Sequence, residues 1–146
     1  AMVNSGALRQ DIEAGLVTKG DLISAFPFPN TIVITKLKGS QVKKIFDHAA
    51  GMTNGILQVS ENVRYSFSPV NTAQQIVING ELLNDNQEYW VAAPNFVTQG
   101  GDGYLEFNNS LAYIDSGVLV VDATEIFLKN VDIYQPRYDG RIKVLN

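Results

Sequence analysis

Thr31-Ile32-Val33-Ile34-Thr35-Lys36-Leu37 is the segment around which the fold is built, because a strand here runs directly into a helix. Its first five residues are all β-branched, which favours an extended chain. Gly39 and Ser40 follow, and the apolar residues after them recur at helical spacing: Val42, Ile45, Phe46 and Ala49. We therefore predict a strand over 31–37 and an amphipathic helix that Gly51 ends.

Strand-like and helix-like segments alternate outward from this pair. Further strands are predicted at Val63–Phe67, Ile76–Ile78, Leu82-Leu83, Glu88–Ala93 and Arg141–Leu145. Helices are predicted after Thr18, where Asp21 completes a capping box, and from Asp122. Asn79-Gly80 is a strong hairpin signal and implies antiparallel pairing. Because strands outnumber helices, the sequence predicts a single α+β domain and not a regular βαβ array.

Composition restricts the function classes. The chain has 146 residues, of which 45% are hydrophobic, so it can bury a real core. Its net charge of −4 argues against binding a nucleic-acid polymer. It has no cysteine, which excludes a disulfide framework and thiol chemistry. No apolar run is long enough to span a membrane in this segment.

A glycine-rich segment, Gly100-Gly101-Asp102-Gly103-Tyr104, places one carboxylate among three glycines. Glycine removes the Cβ barrier to positive φ, so we expect this acid on a bent, open loop. A carboxylate only accepts hydrogen bonds and can take two neighbouring hydroxyl donors at once. Phe96 precedes the loop closely, and an aromatic face beside such an acid suits a nucleoside. The alternative is that the segment only reverses the chain.

Several segments in order resemble the C-terminal, substrate-recognition domain of the 5'-nucleotidase family. They are Asn4-Ser5-Gly6-Ala7-Leu8-Arg9, Gly20-Asp21-Leu22, Phe26-Pro27-Phe28-Pro29-Asn30-Thr31, Asn95–Tyr104 and Asp139-Gly140-Arg141-Ile142. The resemblance implies a mixed α/β sandwich that occupies residues 1–146 as one domain. Because Ala1-Met2 stands just before the first motif, we expect a domain excised from a longer chain with an N-terminal metallophosphatase domain.

The resemblance also assigns a substrate-binding set. Phe28, fixed between two prolines, is by itself either a plug over the core or an exposed stacking platform. In the family, the aromatics at the positions of Phe28 and Phe96 sandwich the nucleobase, which tolerates different bases. By the same resemblance, Asp102 accepts from the ribose hydroxyls and Asn4 bonds the base.

Arg9 and Gly6 complete this implied set. The guanidinium of Arg9 matches phosphate oxygens and would reach the phosphates or the ribose; the alternative is a surface arginine paired with Asp11 or Glu13. Gly6 would let the backbone approach the ligand. The sequence departs from the family at Ser5 and Ala7, where glycines are usual.

Catalytic and metal-binding motifs are not found in the sequence. His48, the only histidine, cannot supply a dinuclear metal site and is expected at a solvated surface position. No catalytic triad and no Walker-type phosphate loop is visible. The other large aromatics fall on predicted strands and helices and are expected in the core: Tyr65, Phe67, Tyr89, Trp90, Phe107 and Phe127.

The implied function is nucleotide recognition within a 5'-nucleotidase-type phosphohydrolase. The chain itself would hold a nucleotide or nucleoside, use no cofactor and be inactive alone, while the N-terminal domain with two divalent metal ions would hydrolyse the ester. A mononucleotide, a cyclic nucleotide, a UDP-sugar and other phosphate esters all remain compatible as substrates. The family implies a periplasmic, extracellular or cell-surface location. The alternative, favoured by Ser5 and Ala7, is a standalone binding or structural module that kept the fold.

Overall fold

A computed structural model describes residues 1–52, 56–68, 70 and 72–145. The strands in this part of the chain are β1 (Met2–Val3), β2 (Thr31–Lys38), β3 (Gln58–Val59), β4 (Val63–Phe67), β5 (Ala73–Ile78), β6 (Glu81–Leu82), β7 (Glu88–Pro94), β8 (Ala112–Leu119) and β9 (Ile142–Val144). The α-helices are α1 (Lys19–Ala25), α2 (Gly39–Ala50), α3 (Asn95–Thr98) and α4 (Val120–Lys129). Short 3-10 helices occupy Ser5–Ala7, Gly101–Gly103 and Leu105–Asn109.

The strands form three sheets. β2 is the central strand of an antiparallel sheet with the order β7-β2-β8. A second sheet has the order β6-β5-β4-β9, in which β4 and β9 pair in parallel. β1 and β3 form an antiparallel pair. This combination of largely antiparallel sheets with separate helices is the predicted α+β fold.

The local signals that the sequence carries are realised in the structure. β2 and α2 follow one another without a loop, as predicted. The Asp21 amide donates to the Thr18 hydroxyl over 3.3 Å, and the Thr18 amide donates to the Asp21 carboxylate over 2.8 Å, so the capping box is confirmed. Asn79 and Gly80, with φ of 54° and 85°, make the predicted tight turn between β5 and β6.

Two expectations about burial are wrong. Trp90 and Phe127 are 58% and 53% exposed, although both lie on predicted elements. The Trp90 ring lies beneath the Lys36 ammonium, 5.7 Å from its centroid, on a sheet face that the core does not cover. Phe127 makes an edge contact with Tyr134, with 5.9 Å between ring centroids. Helix α4 buries none of its residues, so its aromatic ring stays at the surface.

The core packs against one face of α2 and includes residues at both ends of the glycine-rich loop. Its largest fully buried side chains are Tyr104, Phe46, Phe107, Leu37, Ile45, Leu57, Val33, Val42 and Val97. Val97 precedes the loop and Tyr104 follows it, so the loop is fixed to the core on both sides. Among the described residues, no helix combines the length and apolar character needed to cross a bilayer.

Candidate functional site

The glycine-rich loop is bent as the sequence predicts. Gly100, Asp102 and Gly103 have φ of 89°, 53° and 82°, all in the left-handed region. Aspartate is one of the few side chains that tolerate this region, but it still needs support from its surroundings. The conformation turns the Asp102 side chain outward, where it is exposed to solvent.

Asn4 contacts Asp102 directly. Its side-chain amide Nδ2 donates to the Asp102 Oδ2 over 2.7 Å. Because an ionised carboxylate only accepts, this bond fixes which end of the Asn4 amide faces Asp102. Asn4 is 5% exposed, and its Oδ1 is buried with no hydrogen-bond partner among the described residues. The site therefore combines a buried acceptor that lacks a donor with a carboxylate whose second oxygen has no hydrogen-bond partner among the described residues.

Gly6 lies beside this pair. A Cβ at Gly6 would stand 3.5 Å from the Asn4 Nδ2 and 3.9 Å from the Asp102 Oδ2, both ordinary contact distances. Ala7, where the family has glycine, is 6% exposed, so its methyl group is withdrawn from the surface. The replacement of glycine at Ala7 therefore leaves the surface around Asn4 and Asp102 uncovered.

Phe96 packs against the same loop through Gly101. A Cβ at Gly101 would come within 2.5 Å of the Phe96 carbonyl oxygen and 2.6 Å of two carbons of its ring. Only glycine permits this approach, because no real Cβ is found so close to another heavy atom. The Phe96 ring remains 43% exposed. It therefore presents an aromatic surface next to Asp102.

Arg9 and Phe28 contact each other. The guanidinium carbon of Arg9 lies 5.5 Å from the centroid of the Phe28 ring. The Arg9 amide also donates to the Ala25 carbonyl over 3.0 Å, which ties this segment to α1. Phe28 is 43% exposed, which does not suit a plug over the core. Within the described residues Arg9 forms no salt bridge, so the expected alternative of a pair with Asp11 or Glu13 is not observed.

The contacts bring the six predicted residues into two groups. Asn4, Gly6, Asp102 and Phe96 meet at the loop, whereas Arg9 and Phe28 meet beside α1. The short segment from 4 to 9 joins the groups. Two clefts of about 320 and 390 Å³ lie elsewhere and are lined by none of these residues. Phe28, Phe96 and Asp102 are all exposed, so the candidate site presents an open surface.

His48 is the site neighbour that the sequence did not reveal. Its ring is exposed, as expected, but its Nε2 lies 2.8 Å from the carbonyl oxygen of Asp102. The two residues are 54 positions apart, and no motif joins them. Burial, together with the negative charge of Asp102, raises the pKa of Tyr104 to about 12, so its hydroxyl stays neutral under the loop.

The described residues contain no group of three or more His, Cys, Asp or Glu side chains that could hold a metal ion. His48 is committed to a backbone carbonyl, and Asp102 to Asn4. The described residues therefore do not build the dinuclear metal centre, which the family resemblance assigns to a separate N-terminal domain.

The order of the motifs and the fold match a family of hydrolases. The 5'-nucleotidase, C-terminal domain family matches residues 1–109. The chain therefore belongs to the 5'-nucleotidase family and contains its C-terminal domain, which confirms the predicted family.

Curated relatives and solved structures agree with this assignment. The chain is 30% identical to the trifunctional nucleotide phosphoesterase protein YfkN of Bacillus subtilis, over 98% of this chain and 11% of that protein. It is 29% identical to human 5'-nucleotidase, over 97% of this chain and 28% of the relative. The 5'-nucleotidase precursor of Thermus thermophilus superposes with a TM-score of 0.92 at 27% identity, over 99% of this chain and 31% of that one. The chain thus spans less than a third of each of these three proteins.

Proposed function

We propose that this domain recognises the nucleotide substrate of a 5'-nucleotidase-type phosphohydrolase, while a separate domain with two divalent metal ions hydrolyses the phosphate ester. The base stacks between Phe28 and Phe96, and Asp102 accepts from the ribose hydroxyls. Asn4 bonds the base, Gly6 lets the ligand approach the backbone, and Arg9 reaches the phosphate or the ribose. The chain alone binds weakly and hydrolyses nothing.

The observation that carries the proposal is the Asn4–Asp102 pair. The buried Oδ1 of Asn4 has no hydrogen-bond partner among the described residues, which costs about 1–3 kcal/mol unless a donor reaches it. Because this oxygen is buried, a nucleobase N–H can reach it only if the groups that cover Asn4 move when the ligand binds. The free oxygen of Asp102 lies beside it, within the same hydrogen-bonded unit, and suits a ribose hydroxyl.

The half-exposed rings support the stacking role. Phe28 and Phe96 are each 43% exposed, so each offers a face without any rearrangement of the core. Stacking on one aromatic ring is worth about 1–3 kcal/mol per base and depends little on base identity. A domain that relies on stacking accepts several nucleotides, which suits a phosphoesterase of broad substrate specificity.

The openness of the site supports a role shared with another domain. A small-molecule site normally buries most of its ligand, whereas Phe28, Phe96 and Asp102 are exposed on this domain. A metal-containing N-terminal domain facing this surface would close it and position the phosphate. Membership of the family also supports a location in the periplasm, outside the cell or at its surface, which cell fractionation would test.

The test is calorimetric titration of the chain with AMP and adenosine, for the wild type, Phe28→Ala and Phe96→Ala. We expect each variant to weaken binding by about five- to 150-fold, from the loss of about 1–3 kcal/mol of stacking. Phe127→Ala is the matched control, because this ring is similarly exposed on α4. Phosphate release from AMP is measured in parallel and should stay at the buffer level.

Three outcomes would count against this proposal. Binding that survives both phenylalanine substitutions would refute the aromatic clamp. Release of phosphate at an enzyme-like rate by contaminant-free protein would refute the proposal that a separate domain hydrolyses the ester. No binding by the wild type would favour the alternative, a standalone binding or structural module that kept the fold.

A further inference from the structure

His48 joins α2 to the Asp102 loop. It lies in the last turn of α2, and its Nε2 stands 2.8 Å from the Asp102 carbonyl oxygen. A carbonyl only accepts, so the Nε2 must carry the proton and donate. Both the Nε2–H tautomer and the protonated imidazole meet this requirement. The bond therefore fixes the peptide group that follows Asp102.

The imidazole ring also packs along the two residues after Asp102. A Cβ at Gly103 would stand only 3.0 Å from the His48 Cε1 and 3.1 Å from its Nε2, so the ring lies almost against the Gly103 backbone. The Tyr104 ring meets the His48 ring edge-on, with 4.7 Å between centroids and 81° between planes. Three successive loop residues thus contact one side chain from a core helix.

These contacts lie where the loop needs support. Asp102 and Gly103 both have positive φ, a conformation that an aspartate keeps only if its surroundings impose it. Asn4 bonds the Asp102 side chain, and His48 bonds its backbone carbonyl. The two contacts together determine where the free carboxylate oxygen points.

We infer that His48 is a positioning residue for ribose recognition: it sets the orientation of Asp102 without touching the nucleoside. This inference rests on the proposed function, because it concerns the group assigned to the ribose hydroxyls. The effect of His48 on ligand affinity therefore depends on Asp102. A histidine that only stabilised the domain would affect all ligands alike.

The test compares adenosine with 2',3'-dideoxyadenosine, which lacks the hydroxyls that Asp102 would bind. Calorimetric titrations are made with the wild type, His48→Ala, His48→Gln and Lys44→Ala. Gln keeps an N–H donor at a similar reach. Lys44 is the matched control, because it lies on the same helix and is exposed. Among the described residues its one ion pair is with Glu106, at 3.5 Å, in the 3-10 helix that follows the loop.

We expect His48→Ala to weaken adenosine binding about three- to tenfold, the value of one neutral hydrogen bond, and to leave dideoxyadenosine binding unchanged. His48→Gln should restore most of the loss, and Lys44→Ala should behave as the wild type. In an Asp102→Ala background, His48→Ala should have no further effect. If His48→Ala does not fold, His48→Leu, which fills the space without a donor, takes its place.

The outcomes distinguish a failure of the proposed function from a failure of the inference about His48. If the wild type binds neither ligand, the proposed function fails and the inference fails with it. If the wild type prefers adenosine but the His48 variants bind it equally well, only the inference fails. An equal fall for both ligands, or a fall that persists without Asp102, would make His48 a general structural residue and would also overturn it.

Discussion

The Asn4 amide and the Asp102 carboxylate are joined by a 2.7 Å hydrogen bond although 98 residues separate them. Asn4→Asp would replace the only donor in this contact with a second acceptor of the same shape. We expect a loss of about 1–3 kcal/mol in the free energy of unfolding near neutral pH, because two carboxylates then face each other. The loss should shrink in acid, where one of them takes up a proton.

Urea denaturation at neutral and acidic pH measures this effect. Asn86→Asp is the control, since it makes the same change of charge in an exposed turn. Among the described residues, the Asn86 side chain forms no hydrogen bond with a site residue. Equal stability of Asn4→Asp and the wild type at neutral pH would show that the Asn4–Asp102 contact does not hold the loop.

Gly101 is the position where the loop is least able to accept a side chain. In Gly101→Ala the new Cβ would stand only 2.5 Å from the Phe96 carbonyl oxygen and 2.6 Å from its ring, so the ring must move. We expect a fall of about 1–3 kcal/mol in stability from overpacking, and weaker nucleoside binding because the Phe96 face is displaced.

Gly20→Ala is the matched substitution for this prediction. Gly20 lies in the first turn of α1, where the nearest atom to a new Cβ is the Thr18 hydroxyl at 3.5 Å. Alanine favours helix over glycine, so this variant should be at least as stable as the wild type. Thermal melts and adenosine titrations that rank the two variants in the opposite order would contradict the packing argument.

Local signals predicted the elements, but not the contacts between them. The strand at Thr31 and the capping box at Thr18 depend on neighbours in sequence, and both are confirmed. Strand β8 was not predicted, because Asp115, Ser116 and Gly117 interrupt its apolar pattern; it forms because β2 supplies a partner edge.

The candidate site shows the same difference between local sequence signals and tertiary contacts. The Asp102 loop follows from its glycines, whereas the role of His48 depends on a backbone carbonyl 54 residues away and leaves no mark in the sequence. The burial of Trp90 was wrongly predicted because strand periodicity identifies two faces without saying which of them the core covers. The sequence could not predict the role of a side chain where that role depends on tertiary contacts.

Arg9 should distinguish a phosphate from a bare nucleoside. Its guanidinium is held over Phe28, and among the described residues it forms no salt bridge, so its donors are available to a phosphate. We expect Arg9→Ala to weaken AMP binding about ten- to 150-fold more than adenosine binding, since a hydrogen bond to a charged group is worth about 1.5–3 kcal/mol. Calorimetric titration with both ligands measures the difference.

Arg137→Ala is the control for this change, because it removes the same charge from another exposed position. It separates contact with the ligand from a general loss of positive charge. If Arg9→Ala weakens AMP and adenosine equally, Arg9 acts on the ribose or through Phe28 and not on the phosphate.

The final motif of the chain is structural, and its ion pair predicts how stability depends on pH. Arg141 donates to Asp139 through Nε over 2.8 Å and through Nη2 over 2.7 Å, and this hydrogen bonding lowers the pKa of Asp139 to about 2. The unfolded value is about 4, so ionised Asp139 stabilises the fold above that pH. The contribution is lost as the pH falls from about 4 towards 2.

Asp139→Asn should therefore lower Tm most near neutral pH, and the difference from the wild type should vanish at about pH 2. Asp132→Asn is the control, because Asp132 is exposed and forms no ion pair within the described residues. Arg141 also donates to the Val59 carbonyl over 3.0 Å, so the pair ties the start of β9 to β3, away from the six site residues. Adenosine affinity near neutral pH should accordingly be unchanged, and a fall in that affinity would mean that the closing motif belongs to the site.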